Sequence, residues 1–144
     1  MARKQITVVI SAEGRDRDKV FQITEKPARQ VEDWAIRAFM GMARSGAEIP
    51  EDVKDAGFAG LITMGLKAIA GMHYADAKPL LDEMISCVKI IPDPANQNII
   101  RALIDEDIEE VATFLQLRKE VFELHANFSA IVARLSSAET TAPQ

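Results

Sequence analysis

Between residues 114 and 135 an apolar side chain recurs at spacings that alternate between three and four: Phe114, Leu117, Val121, Leu124, Phe128, Ile131 and Leu135. An unbroken 3-4 alternation of this length is satisfied by an α-helix with an apolar seam and by no strand. Val111, Leu115 and Phe122 widen the seam into a face. The helix is predicted over 105–137, with Asp105, Glu106 and Asp107 at its start, where negative charge suits the macrodipole. A face this broad packs inside its own domain or meets another chain. Phe114, Leu117, Val121, Leu124, Phe128 and Ile131 are therefore the candidate partner-binding or oligomer-binding residues.

The rest of the chain must supply what that helix packs on. "QITVVIS" (5–11) sets Ile6, Val8 and Ile10 on one face and Val9 on the other; "KVFQITE" (19–25) points Phe21 and Ile23 one way. "AEGRDRD" between them is of connecting length, so residues 5–25 read as a β-hairpin. Pro27 suits the first turn of a helix over about 27–45, in which Val31, Trp34, Ala35, Ala38 and Met42 share a side and Gly46 follows as C-cap. A second helix is predicted over 55–71. A third is predicted over 74–90, from the stripe Leu80, Leu81, Met84, Ile85 and Val88. "IPDPANQN" (91–98) breaks the pattern, and "IIRALI" (99–104) reads as a short strand or an extended lead-in. The expected fold class is α+β, mostly α: an N-terminal β-hairpin followed by a four-helix layer ending in one long C-terminal helix. Residues 1–137 are expected to form a single domain and 138–144 a flexible tail.

Composition narrows the function classes. A net charge of −5 over 144 residues argues against a nucleic-acid binder, which needs a basic face. The longest apolar stretch, 57–72, is too short to span a bilayer and carries Lys67, so it reads as a buried helix and no membrane partner is expected. Cys87 is the single cysteine, which suits a reducing compartment, and it has no neighbour with which to form a zinc site.

Chemistry finds little purchase. The two histidines, His73 and His125, lack the Glu-x-x-His spacing of a di-iron bundle. No nucleophile elbow, P-loop or dinucleotide fingerprint occurs. "DEDIEE" (105–110) lacks the glycine and spacing of a calcium loop and reads as a solvated helix start. "GRDRD" (14–18) has the glycine and charge of a phosphate cradle, but a strand follows it where a helix N-terminus is needed. It reads as a solvated hairpin tip whose charges neutralise each other. No catalytic residue, cofactor or metal is expected, and the protein is expected not to be an enzyme. Met40, Met42, Met64, Met72 and Met84 fill gaps in a core or serve an adaptable surface.

"RDRDKVFQITEKPARQVEDWAIRAF", "SGAEIPED", "GFAGLITMGLKAI", "YADAKPLLDEMISC" and "DIEEVATFLQLRKEVFELHANF" follow one another in that order over residues 13–130 or so. As a whole this string resembles the tail assembly chaperones of long-tailed (siphovirus-type) bacteriophages and prophages. The resemblance implies a non-enzymatic protein that binds and solubilises the tape measure protein and assists polymerisation of the tail tube protein. It would act in the host bacterial cytoplasm and be absent from the mature virion. The seam on the last helix, with the 57–72 helix, would contact the client or a second copy. The alternatives are a permanent structural virion protein (tail completion or connector) and a small enzyme with a cryptic site.

Overall fold

The computed structural model describes residues 3–46 and 69–140, with the side chains of the last helix described up to His125. The protein is mixed α+β. Four strands form one antiparallel sheet in the order β1 (Gln5–Val9), β2 (Val20–Thr24), β3 (Val88–Ile91), β4 (Arg101–Ala102). Three helices accompany it: α1 (Ala28–Arg44), α2 (Tyr74–Ile85) and α3 (Val111–Thr140). Contacts group the residues into two compact units, 1–26 with 81–124 and 27–80 with 125–144.

The sheet belongs to the first unit. Its register places Ile6 opposite Ile23, Val8 opposite Phe21, Phe21 opposite Ile90 and Ile23 opposite Val88. Partners in register share a face, so the alternation read from residues 5–25 produces one apolar side. Val8, Ile10, Phe21, Ile23, Val88 and Ile90 are buried there, while Val9 on the opposite side is 53% exposed. Val20 and Ile91 form a second buried pair on that opposite side. The hairpin closes through a bulge in which Asp18 and Lys19 together face Ile10. Ile10 N–H donates to Lys19 O (3.0 Å), Asp18 N–H donates to Ile10 O (2.9 Å), and Asp18 adopts φ +70°.

In the second unit, Ala35, Ala38 and Met42 of α1 and Leu80 of α2 form a buried cluster, with Trp34, Phe39 and Met72 against it. Small alanines let the helices approach, and the Trp34 indole N–H donates to Leu80 O at 3.0 Å. Pro27 precedes the first residue of α1, where its missing N–H costs nothing. Gly46 ends α1 with φ +76° and an N–H bond to Ala43 O, as its position in the sequence suggests.

Three expectations need correcting. The described residues hold three helices, not a four-helix layer, and the helix expected over 55–71 lies outside them except at its last residues. The helix expected over 74–90 stops at Ile85, and residues 88–91 are a strand. Val88 satisfies both the helical stripe and a period-two run with Ile90, and such short apolar runs do not choose between them. β-Branched residues and a free edge of β2 decide for the strand. Ser86 Oγ and Cys87 Sγ turn back onto Glu83 O (2.6 Å) and Met84 O (3.3 Å), occupying last-turn carbonyls. The helix expected over 105–137 begins at Val111 and runs to Thr140, because Asp105–Asp107 form a separate 3-10 turn.

Phe21 has no exposed surface. Phe21→Ala is expected to cost about 3–5 kcal/mol, read as a lower urea midpoint with an unchanged slope.

Candidate functional site

The seam residues fall into distinct environments. Leu117, Val121 and Leu124 are buried within the chain, and Phe114 is half-buried with the Arg118 guanidinium 5.3 Å from its ring centre. Phe128 and Ile131 lie on α3 beyond the residues whose side chains are described. The outward side of the helix carries Val111 at 76% exposure and Leu115 at 59%, one turn apart, and Phe122 is half-buried. Thus, among the described side chains of α3, the most exposed apolar ones are those that widen the seam. Arg118 fastens the buried side by donating to Leu81 O (3.3 Å).

The best-built polar constellation of the first unit lies at the start of α3, and it corrects the reading of "GRDRD" as a solvated tip at one residue, Asp16; Gly14, Arg15, Arg17 and Asp18 are exposed as expected. Asp16 is only 1% exposed. Its carboxylate accepts from the Glu109 and Glu110 N–H groups (3.0 and 2.9 Å), the Thr113 hydroxyl (2.6 Å) and the Lys19 ammonium (2.8 Å). Backbone N–H groups at a helix start favour an anion. Here the chain supplies that anion itself, from a loop more than ninety residues earlier. The cradle chemistry considered for residues 14–18 is therefore inverted: the loop provides the negative charge, and α3 provides the N–H groups.

Neighbouring residues extend the clamp. Lys19 also donates to Asp107 O (2.8 Å). Arg101 meets Asp107 through two bonds of 2.7 Å, one to each oxygen, and Oδ2 also accepts from Ile104 N–H (2.7 Å). This pairing folds Asp105–Asp107 into its own turn. Arg15 lies on the solvent side, donating to Glu110 Oε1 (2.8 Å) and Glu109 O (2.7 Å). Gly14 has φ +143°, and an added Cβ would stand 3.3 Å from Glu110 Cγ, so the loop needs glycine there.

These contacts set the electrostatics. Burial alone would raise the Asp16 pKa, but hydrogen bonds from Lys19, Thr113 and the two backbone amides outweigh it and hold it well below the usual range. The Arg101 guanidinium does the same for Asp107. Burial pushes the Cys87 thiol up, which leaves it protonated and weakly nucleophilic at neutral pH.

A cavity of about 320 Å³ beside the clamp is lined by Val20, Ile90, Ile91, two prolines and several charged groups. Its cations are committed: Arg17 to Glu13, Lys19 to Asp16 and Arg101 to Asp107. A second hollow, about 290 Å³, lies between α1 and α2, with Met40 exposed on its wall. Of the other methionines, Met42 and Met84 are buried, Met72 is half-buried, and Met64 is outside the described residues. No group of three His, Cys, Asp or Glu side chains among the described residues is placed to hold a metal ion.

Both clamp carboxylates have depressed pKa values. The stability they contribute is complete above their ordinary pKa near 4 and is lost as pH falls from there through the depressed values. The urea midpoint is expected to hold steady above about pH 4 and to fall below it. Asp16→Asn leaves an amide donor facing backbone donors, and at pH 7 should cost about 2–4 kcal/mol. An unchanged midpoint for that variant would show that the clamp contributes nothing.

Compared with known proteins, the chain matches no family model, no curated protein and no solved structure.

Proposed function

We propose that this chain is a tail assembly chaperone of a long-tailed bacteriophage or prophage. It binds and solubilises the tape measure protein and assists tail tube polymerisation, without catalysis. The observation that carries the reading is the ordered run of sequence segments over residues 13–130 or so, from "RDRDKVFQITEKPARQVEDWAIRAF" to "DIEEVATFLQLRKEVFELHANF". A long apolar helical face adds support, since a groove or face of this kind accepts an amphipathic client helix. Within that face Leu117, Val121 and Leu124 are buried in the chain itself. The client-facing role then falls to the outward residues Val111 and Leu115, with Phe114 and Phe122 beside them, and to Phe128 and Ile131 further along the helix.

Co-expression with the tape measure protein of the same tail-gene block tests the proposal. A soluble, co-purifying complex is the expected result. Failure to gain solubility together with failure to co-purify would overturn it. The double variant Val111→Glu, Leu115→Glu alters exposed positions only, so it should fold normally and weaken capture about tenfold or more. Mass spectrometry of purified virions separates the chaperone from a permanent tail component: the chaperone is expected to be missing.

A further inference from the structure

The two edges of the sheet are treated differently by their own side chains. Thr24 N–H donates to Cys87 O, so alternate residues of β3 turn to β2 and the others, Val88 and Ile90, turn to β4. Arg101, opposite Ile90, therefore faces inward along the ladder, and Ala102 faces outward. The outward carbonyl of Ala102 is capped by the Arg101 guanidinium at 3.1 Å, and β4 is only two residues long. Shortness and a charged side chain are the usual means of blunting an edge.

β1 has neither protection. Ile10 bonds to Lys19, and Glu25 N–H donates to Lys4 O, which fixes the phase of the strand. Lys4, Ile6, Val8 and Ile10 direct their backbone groups to β2, while Gln5, Thr7 and Val9 direct theirs outward. Those three residues have exposed side chains, and their backbone groups have no hydrogen-bond partner among the described residues. The strand has five residues and contains no proline, no bulge and no charge.

We propose that β1 pairs with β1 of a second copy of this chain, antiparallel about a two-fold axis through Thr7, so that two sheets become one. Three properties of the strand select a second copy as the occupant. First, the phase fits itself: Gln5 meets Val9 of the second copy, Thr7 meets Thr7 and Val9 meets Gln5, each pair having both N–H and C=O aimed at the axis. Second, the faces fit. Ile6 and Val8 of one copy meet Val8 and Ile6 of the other on the buried side, which covers the edge of the half-buried Ile6. On the outer side, Gln5 lies over the exposed Val9, and the two threonines face each other. Third, the charges permit it: about a two-fold through Thr7 the exposed Arg3 and Lys4 fall opposite Ser11 and Ile10 of the other copy and meet no cation, whereas a parallel arrangement would set Arg3 and Lys4 against the same cations of the second copy.

Sedimentation equilibrium tests the pairing. The unaltered chain is expected at twice its 15.9 kDa mass. Thr7→Lys and Thr7→Glu change an exposed side chain but place like charges directly across the axis, so each variant alone should sediment at half the parent's mass. Mixed together they should recover the full mass, because opposite charges then face each other. Hydrogen exchange on the unaltered chain supplies a second readout that needs no variant. The Gln5, Thr7 and Val9 amides are expected to be protected at high concentration and to exchange freely on dilution, while Ile6 and Val8 stay protected throughout. A parent chain that remains monomeric at all concentrations would overturn the proposal. So would variants that keep the parent's mass, a mixture that stays monomeric, or outward amides that never gain protection.

Discussion

A carboxylate removed from water must be matched by donors or give up its charge. Asp16 is matched by two backbone amides, a hydroxyl and an ammonium, and it stays ionised. That one group ties the hairpin loop to the start of α3 and, through Lys19, to the turn at Asp107. The first unit depends on it for more than energy. Helix starts have unsatisfied N–H groups, and a partner from a remote loop sets where the helix begins and which way it leaves the turn. The bulge at Asp18 and the glycine at position 14 serve the same end, because they give the loop the shape that delivers Asp16.

The clamp also bears on what the helix start can do. N–H groups at this position would be an anion site if left open. They are filled internally, and the cations around the adjacent cavity are each paired with a carboxylate. The polar chemistry of this region is spent on architecture. Among the accessible features of the first unit are the outward apolar residues of α3 and the open edge of β1. Both are features of the kind that other polypeptides can pack on or pair with, in keeping with the proposed chaperone role.

The two surfaces are of different types. A helix face recognises a partner through side-chain packing and tolerates many amphipathic clients. A strand edge recognises through backbone hydrogen bonds in a fixed register, and side-chain pattern selects the match. Assigning self-pairing to β1 and client contact to α3 lets both occur together, since the two use different elements of the fold.

Much of the local structure was legible in the sequence, because it depends on spacing. The alternation of Ile6, Val8 and Ile10 with Phe21 and Ile23, the stop at Gly46 and the helical run through Leu117, Val121 and Leu124 each follow from a period that one backbone geometry satisfies. What was not legible depended on partners distant in the chain. Val88 to Ile91 fit two periods, and the open side of β2 chose the strand. Asp16 looked like a solvated charge because its donors lie more than ninety residues away. Which side of α3 is buried was likewise undecided, since a broad apolar face does not say which part of it meets its own domain. The sequence by itself determined the hairpin, the first helix and the body of the last one, through local periodicity and turn chemistry. Only the tertiary structure decided which charges are buried and which apolar residues remain exposed, because burial belongs to pairs of segments and not to any one of them.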